Sequence, residues 1–201
     1  MVVAENVEGL IRGNARGYVN EILKAFRDAG YSMQVFLLDS SVMGVPQKRI
    51  RVFFIGHRTE LGYKKLKLAF NEAPIPFRSV RTEEGKEITS ELIRSLLGKM
   101  KKGDRNFSNI AKREFGSESY FSHVIVADNR VAPTVTSGGS FIREFDKKEY
   151  AAGDFVRVQS FPEDYNFLGQ GAQYVCGMSV PPVMMANIAA EIFGQWLKYD
   201  K

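Results

Sequence analysis

Three polar side chains in the first quarter of the chain have the types and the spacing for binding an anion. Gln47, Arg49 and Arg51 occupy alternate positions just before an apolar run that ends at Gly56. If this stretch is extended, alternate side chains project to the same side of the backbone. Two guanidinium groups and an amide on one side can hold a phosphate or the acceptor edge of a base. A solvated basic edge strand is the alternative explanation.

The elements that would position these side chains follow each other in the order of an α/β sheet. Val52 to Ile55 is a short β-branched and aromatic run of the kind found in buried strands. The other predicted elements are a strand at Met1–Ala4, a polar link to Ala15, a helix that ends at Gly30, a strand at Tyr31–Asp39 and a loop at Ser40–Val45. Functional groups of α/β enzymes cluster at strand ends, so Glu5, Asn6 and Val7 are further candidates.

The middle of the chain has a less regular pattern, which predicts a separate small domain of mixed structure from residue 58 to 145. Its predicted elements are a helix near Thr89–Lys102, strands at Tyr120–Ala127 and Val131–Thr136 joined at Asp128-Asn129, and a flexible loop at Ser137–Ser140. The backbone of that loop could approach a phosphate, because it contains two glycines. Residues 1–57 are predicted to form a partial catalytic domain, and residues 146–201 a helix-rich return to it.

The C-terminal part again has a regular pattern. It predicts a helix with Phe155, Val156 and Val158, a turn at Ser160–Tyr165, a loop at Gly177–Pro182 and then a long amphipathic helix. The apolar side of the last helix consists of Met185, Ile188, Ala189, Ile192, Phe193 and Trp196. Core packing explains such a stripe without any further function.

The composition of the 201 residues argues against several classes of protein. The single cysteine, Cys176, excludes an intramolecular disulfide and fits a reducing cytoplasm. Only His57 and His123 accompany it, so no zinc site is indicated. No signal peptide or uninterrupted transmembrane run is visible. We therefore expect a cytoplasmic protein that has no membrane partner.

Positive charge is concentrated in one segment of the middle region. The whole chain has a net charge of +5, whereas the segment from Arg94 to Arg113 has seven basic residues against one acidic residue, a local net charge of +6. These residues are Arg94, Lys99, Lys101, Lys102, Arg105, Lys112 and Arg113, against Asp104. Such a cluster suits a polyanion such as DNA. A solvated helix face is the alternative.

Four separated stretches resemble, in their usual order, the motifs of the DNA cytosine-5 methyltransferases. They are Glu5-Asn6-Val7, the set Gln47, Arg49 and Arg51, Arg157–Pro162 and Gly177–Pro182. In addition, Thr134-Val135 lies where this family has a threonine and an aliphatic residue in its target-recognition domain. Each match is weak alone, but together they cover nearly the whole chain. The chain therefore resembles the C-terminal half of such an enzyme.

This resemblance implies a fold and a reaction. The fold would be α/β, with the C-terminal part of a Rossmann-like S-adenosylmethionine-dependent methyltransferase sheet and a small mixed target-recognition domain. The reaction would transfer a methyl group from S-adenosylmethionine to C5 of a cytosine that has left the double helix. Glu5 would contact N3 and the exocyclic amine of that base, and Arg51 would contact O2. Asn6 would orient the turn after Glu5.

Further residues are assigned by the same resemblance. Arg49 joins the catalytic set, and together with Gln47 it would hold the loop and reach a phosphate. Contacts to double-stranded DNA would come from Gln47, Arg49, Arg51, Thr134, Val135, Ser137, Gly138 and Gly139. The S-adenosylmethionine would be contacted by Gly177, Met178, Ser179 and Val180. No metal is implied.

The chain departs from the family pattern in two respects. Met178 stands where the last motif has an asparagine, so an amide near the cofactor is replaced. In addition, these 201 residues contain neither the Gly-rich cofactor loop Phe-x-Gly-x-Gly nor the Pro-Cys dipeptide of the nucleophile. Cys176 does not follow a proline, so its motif is not that of the nucleophile. We expect it to be packed and unreactive, as buried free cysteines usually are.

Two functions of different classes remain open at this point. The first is a split or truncated methyltransferase, which would be inactive until a second polypeptide supplies the cofactor loop and the nucleophilic cysteine. A partner chain or self-association would then cover the exposed sheet edge and apolar surface. The second is a non-catalytic DNA-binding module or a remnant of such an enzyme. A third alternative is a generic basic α/β domain that matches the family motifs by chance.

Overall fold

A three-stranded antiparallel sheet carries the candidate residues of the N-terminal part. The computed structural model describes residues 1–12, 16–116 and 123–198. The strands are β1 (Val2–Val7), β2 (Tyr31–Asp39) and β3 (Ile50–Arg58), in the order β1-β3-β2. β3 is therefore the central strand, and it runs antiparallel to both neighbours. The register places Val7 of β1 opposite Arg51 of β3.

β1 is longer than the sequence pattern predicts. We expected the strand to end at Ala4, but Glu5 and Asn6 lie inside it. Pairing with β3 continues to Val7, so the backbone groups of these residues have partners in the sheet and need no turn. β2 has the predicted bounds. β3 includes the predicted strand and extends beyond both of its ends.

The helix α1 (Arg16–Asp28) connects β1 to β2. Its half-buried apolar residues are Val19, Ile22, Leu23 and Phe26, which recur at helical spacing. Gly30 follows with a φ of 82°, the left-handed conformation that glycine supports just after a helix. The predicted helix is thus confirmed. The predicted end of the preceding link, at Ala15, lies outside the described residues.

The helix α6 (Pro182–Ile192) and the π-helical turn that continues it (Phe193–Leu197) pack on the sheet. The buried residues of this segment are Met184, Ile188, Ile192 and Trp196, which share a core with Phe53 and Ile55. The predicted stripe is therefore wrong at Ala189 and Phe193, which are exposed. Each of them follows a buried residue directly, and one residue turns a helix by about 100°.

The described part of the middle region contains two α-helices and a two-stranded parallel sheet. They are α2 (Glu91–Gly98), α3 (Phe107–Phe115), β4 (His123–Val126) and β5 (Ser140–Arg143). The predicted helix ends at Gly98 rather than at Lys102, and α3 was not predicted. The predicted start of the first strand, at Tyr120, lies outside the described residues.

The predicted strand at Val131–Thr136 is wrong. Ala132 of this segment forms an isolated bridge with Gln47. Pro133 has no N–H to give to a strand ladder, and the carbonyl oxygen of Val135 is taken by a side chain rather than by a neighbouring strand. The partner of β4 instead begins at Ser140, at the end of the loop that we predicted.

The helices α4 (Ala152–Val158) and α5 (Ala172–Met178) complete the C-terminal part. α4 confirms the predicted helix. α5 was not predicted, so Gly177 and Met178 end a helix rather than begin a loop. A second core joins both helices to residues of the middle region. The domain boundary at residue 145 stays a prediction.

The segment Ala172–Leu197 is long and apolar enough to cross a membrane, with a mean hydropathy of 1.3. It comprises two helices, α5 and α6, which are separated by residues 179–181. Residues such as Met184 and Trp196 are buried in the core of the protein. Because a core helix passes the same test of length and composition, this segment is weak evidence for a membrane.

Candidate active site and DNA-binding surface

Glu5 and Arg51 form an ion pair between neighbouring strands of the sheet. The Nε of Arg51, on β3, is 2.9 Å from the Oε1 of Glu5, on β1. The Glu5 side chain is 32% exposed and the Arg51 side chain 13%. The structure thus brings together the two residues that were predicted to contact the target base, and it leaves both partly accessible to a ligand.

A cavity of about 460 Å³ opens beside this ion pair. Its lining residues are Val7, Glu8, Gly9, Lys48, Ile50, Arg51, Pro133 and Thr134. A nucleobase fits in a space of this size, and Arg51 would form part of its wall. Asn6 lies next to the rim, where its Oδ1 accepts a hydrogen bond from the backbone N of Val7 at 2.8 Å. Such a bond can orient the chain that follows Glu5.

Gln47 and Arg49 are buried, unlike Arg51. The Oε1 of Gln47 accepts a hydrogen bond from the backbone N of Val135 at 3.0 Å, and its Nε2 donates to Gln159. Arg49 donates to the carbonyl oxygens of Val135 and Gly177, each at 2.8 Å. Both side chains therefore tie β3 to other parts of the chain. Their contact with DNA stays a prediction, and it would require these bonds to change.

Burial also affects the basicity of Arg49. Desolvation is the main reason why its pKa falls to about 10, and the nearby charge of Arg51 adds to the effect. The guanidinium group is still protonated at neutral pH. A buried cation thus holds the two carbonyl oxygens, and charged donors form stronger hydrogen bonds than neutral ones.

The segment predicted to contact DNA has a fixed beginning and an exposed end. The Oγ1 of Thr134 donates to the carbonyl oxygen of Lys48 at 2.7 Å, and Val135 is buried. The following residues 137–139 are exposed. Their backbone is anchored by Gln173, whose Nε2 donates to the carbonyl oxygen of Gly139 at 2.8 Å. Ser137, Gly138 and Gly139 are therefore available to a ligand.

The family model of the C-5 cytosine-specific DNA methylases matches residues 1–194. The chain belongs to this family. It is 27% identical, over 94% of its length, to the type II methyltransferase M.NgoFVII of Neisseria gonorrhoeae. It is 25% identical, also over 94% of its length, to the type II methyltransferase M.DdeI of Desulfomicrobium norvegicum. The matches cover 57% and 62% of these relatives, so the chain spans only part of their length.

Solved structures show the same fold. A mutant form of the Spodoptera frugiperda DNMT2 matches 95% of the chain with a TM-score of 0.66 and 16% identity. The Schizosaccharomyces pombe Dnmt2 methyltransferase matches 96% with a TM-score of 0.61 and 13% identity. Each match covers 66% of the solved chain. The predicted architecture, part of a methyltransferase sheet with a smaller mixed region, is thereby confirmed.

S-adenosylmethionine is the cofactor of this methyltransferase family, and the segment 177–180 was predicted to contact it. The carbonyl oxygen of Gly177 is taken by Arg49, and that of Ser179 accepts from the Nε2 of Gln159 at 2.8 Å. Met178 is exposed, and Val180 packs partly on the first core. The contact of this segment with the cofactor stays a prediction. The cavity beside Arg51 is lined by other residues.

Cys176 is packed in the second core of the protein and fully buried. Burial raises the pKa of its thiol to about 11, with a small opposing effect from the charge of Arg49. A nucleophilic cysteine needs a lowered pKa, because the thiolate is the reactive form. The predicted burial of Cys176 is therefore confirmed, and its low reactivity stays a prediction.

The basic cluster of the middle region is divided by its contacts. Arg113 forms ion pairs with Asp104 at 2.7 Å and Glu114 at 3.0 Å. The Nζ of Lys99 lies 4.5 Å from the centre of the Phe115 ring. Some basic residues of the cluster thus have partners within the protein. The structure therefore does not show a cluster whose residues are all directed toward DNA.

Two functional candidates escaped the sequence analysis, Lys48 and Gln159. Gln159 is fully buried and connects Gln47 to the carbonyl oxygen of Ser179. Lys48 lies between Gln47 and Arg49, and its exposed side chain borders the cavity beside Arg51. The signal for Gln159 was the motif around it. The signal for Lys48 was the alternation of side chains in an extended segment, which places it on the side opposite to Gln47 and Arg49.

Proposed function

We propose that the chain supplies the base-contacting and DNA-recognition parts of an enzyme that methylates C5 of cytosine in double-stranded DNA. The observation that carries this proposal is the Glu5–Arg51 ion pair, whose Arg51 side lines a cavity of about 460 Å³ that is large enough for a nucleobase. A cytosine that leaves the duplex and enters this cavity would meet the Arg51 guanidinium group in its wall, and the Glu5 carboxyl group is the ion-pair partner of that guanidinium group. Membership of the cytosine methylase family supports the same conclusion. The proposed location is the cytoplasm.

The two side chains have complementary roles in this reaction. Addition of a thiolate at C6 places negative charge on N3 and O2 of the cytosine. Glu5 is proposed to bind N3 and the exocyclic amine and to supply the proton at N3, and Arg51 is proposed to donate to O2. Until a base enters, each holds the other in position. S-adenosylmethionine, when bound, supplies the methyl group that C5 receives.

The remaining site residues are proposed to act around this pair. Gln47 and Arg49 would position the strand and the recognition segment, because their polar groups bind the backbone of Val135. The exposed residues 137–139, next to Thr134, would contact the DNA. Residues 58–145 would form the target-recognition domain. The proposed boundaries of the three parts of the chain are those predicted from the sequence, namely 1–57, 58–145 and 146–201.

A second polypeptide is proposed to supply the nucleophilic thiolate and the Gly-rich cofactor loop. Two surfaces support this proposal. Among the described residues, β1 pairs with β3 alone, so its outer edge has free backbone groups. On the C-terminal helix, Val183, Phe193 and Leu197 are exposed, on positions that face away from the core. An exposed apolar surface and an open sheet edge each suit a protein partner; self-association is the alternative.

Transfer of tritium from labelled S-adenosylmethionine to duplex DNA tests the proposal. We expect no transfer by the chain alone, and transfer after addition of a polypeptide that carries the Pro-Cys and Phe-x-Gly-x-Gly motifs. In that complex, Glu5→Gln should lower turnover by about 10²-fold or more, and Arg51→Ala should also be severely impaired. The control is Glu60→Gln, the same chemical change at an exposed side chain.

Three outcomes separate the possibilities. Label incorporated by the chain alone would refute the need for a second polypeptide. A complex that is as sensitive to Glu60→Gln as to Glu5→Gln, or indifferent to both, would refute the assigned site. DNA binding without transfer in any combination would favour the non-catalytic DNA-binding module.

A further inference from the structure

Two side-chain amides connect the segment that is predicted to contact DNA (residues 134–139, the recognition segment) to the segment that is predicted to contact the cofactor (residues 177–180, the cofactor segment). The Oε1 of Gln47 accepts a hydrogen bond from the backbone N of Val135 at 3.0 Å, and its Nε2 donates to the Oε1 of Gln159. The Nε2 of Gln159 then donates to the carbonyl oxygen of Ser179 at 2.8 Å. The two glutamines therefore form a continuous hydrogen-bonded path between the segments.

The order of donors and acceptors along this path allows only one arrangement of the two amides. The backbone N at Val135 can only donate, and the carbonyl oxygen at Ser179 can only accept. Gln47 must therefore direct its oxygen to Val135, and Gln159 must direct its nitrogen to Ser179. Both side chains are fully buried, so a reversed amide would leave polar groups unpaired and away from water. The orientation of each amide thus depends on that of the other.

The residue that follows Gln159 binds the chain just beyond the cofactor segment. The Oγ of Ser160 accepts a hydrogen bond from the backbone N of Val183 at 3.2 Å, in the first turn of α6. Gln159 and Ser160 therefore bind the backbone on both sides of Pro181 and Pro182. Ser160 has a φ of 60°, which is unfavourable for a residue with a Cβ. Such strain persists where the surrounding contacts fix the backbone, and it concentrates at functional sites.

Arg49 makes a second connection between the two segments. It donates to the carbonyl oxygens of Val135 and Gly177, each at 2.8 Å. The backbone of Val135 is thus bound at both its N and its O, and each of these contacts leads on to the cofactor segment. Arg49 binds the first residue of that segment, whereas Gln159 binds its third residue, Ser179.

We propose that Gln159 is a positioning residue that couples the cofactor segment to the recognition segment. A ligand that fixes Ser179 holds Val135 in place through Gln159 and Gln47, and Val135 directly precedes the residues that are exposed for DNA. The inference rests on the proposed function in that the two segments contact the cofactor and the DNA. It goes further because it gives Gln159 a role and predicts that the two segments loosen together.

Hydrogen exchange of the backbone amides, measured on the purified chain without ligand or partner, tests the coupling. Gln159→Met keeps the length of the side chain but removes both of its polar groups. We expect exchange to become faster at Val135 and at Val183 by about 10-fold, the scale of one lost hydrogen bond. Exchange in the central strand β3 should not change, because its partners are other strands.

Gln173→Met is the matched control. Gln173 is another glutamine that binds the recognition segment, since its Nε2 donates to the carbonyl oxygen of Gly139 at 2.8 Å. It is outside the path through Gln47 and Gln159. Gln173→Met should therefore make exchange faster in the recognition segment alone, whereas Gln159→Met should do so in both segments.

Gln159→Glu separates positioning from general stability through its pH dependence. A protonated carboxyl group has one donor and can replace the amide at both Gln47 and Ser179, whereas a carboxylate only accepts. Relative to the unchanged protein at the same pH, exchange at Val183 should be normal at acidic pH and faster after the new carboxyl group ionises. Gln159→Met has no such group, so its relative exchange should be independent of pH.

The cofactor arm of the test uses the complex with the second polypeptide. S-adenosylhomocysteine, which has no methyl group to transfer, should raise the affinity of the unchanged complex for duplex DNA by about 5-fold or more, the lower end of typical coupling between sites. The increase should be smaller in Gln159→Met. No increase in the unchanged complex, or an equal increase in both, would overturn the proposed coupling.

The exchange measurements can also overturn it. Faster exchange in β3 together with both segments would mean a general loss of stability, and faster exchange in one segment alone would mean that Gln159 does not couple the two. A Gln159→Glu variant without pH dependence would have the same consequence. Methyl transfer by the complex is measured separately. Coupled exchange with an inactive complex would reject the proposed function and leave the coupling standing, whereas an active complex with uncoupled segments would reject the coupling alone.

Discussion

Replacing Gly177 by alanine tests how closely α5 must approach the segment that is predicted to contact DNA. A Cβ at this position would lie 2.2 Å from the backbone N of Ser137 and 2.3 Å from the carbonyl carbon of Thr136. Ordinary contacts of a Cβ lie at 3.4–4 Å. Both neighbours are main-chain atoms that cannot rotate away, so the two segments would have to separate by about 1 Å, a change that close-packed interiors resist.

The expected loss of stability follows from three effects. Alanine in place of glycine in a helix is favourable by about 0.8–1 kcal/mol. Overpacking costs about 1–3 kcal/mol. Separation would also stretch the two hydrogen bonds by which Arg49 joins Val135 to Gly177, and bonds to charged groups contribute about 1.5–3 kcal/mol each. We therefore expect Gly177→Ala to lower the free energy of unfolding by about 2–4 kcal/mol.

Gly98→Ala is the matched control. Gly98 also ends a helix, α2, but a Cβ there would meet no atom within 4 Å. This variant should be neutral or more stable by up to about 1 kcal/mol. Urea unfolding measures both free energies, and the affinity for DNA reports whether the recognition segment has moved. If the two variants are equally stable, the close approach at Gly177 is no constraint on the fold.

Three further predictions concern buried or paired side chains. Asp154→Ala should destabilise the protein by about 3 kcal/mol in urea unfolding, because Arg143 is fully buried and would lose a carboxylate partner; a loss close to zero would contradict this. Cys176 should resist thiol reagents in the folded protein near pH 8 and react after unfolding, because its pKa of about 11 returns to about 8.5 in the unfolded chain; fast reaction of the folded protein would contradict its burial. The hydrogen bond from Arg113 lowers the pKa of Asp104, so this carboxylate stabilises the fold above its ordinary pKa of about 3.9 and loses that effect as the pH falls through the lowered value. Thermal melting from neutral to acidic pH should therefore show a smaller acid loss for Asp104→Asn than for the unchanged protein, and parallel curves would refute the assignment.

Elements with a local pattern could be predicted from the sequence. The strand Tyr31–Asp39 and the helix that ends before Gly30 depend on alternation, helical spacing and a glycine cap, all of which lie within a few residues. The segment Val131–Thr136 has the composition of a strand, but its polar groups bind Gln47 and Arg49, which are far away in sequence. A tertiary contact of this kind leaves no local signal.

The contacts of the candidate site could not be predicted from local sequence signals either. Alternation correctly sets the buried Gln47 and Arg49 apart from the exposed Lys48, but it does not predict that Arg51 lines the same cavity as Lys48. Gln47 and Arg49 meet protein backbone, whereas Arg51 meets Glu5 and a cavity. The distance between Glu5 and Arg51 depends on the pairing of β1 with β3, which no motif specifies.

The central strand of the sheet is the last of the three to be synthesised. β1 and β2 both pair with β3, so a nascent chain that ends before Ile50 has two strands that cannot yet form this sheet. The core that covers these strands also needs residues between Met184 and Trp196, which are synthesised near the end of the described chain. Contacts so distant in sequence form slowly, and strands that have no partner strand in the meantime are prone to aggregate. A stalled ribosome should therefore release an aggregation-prone fragment of this protein rather than a smaller folded unit.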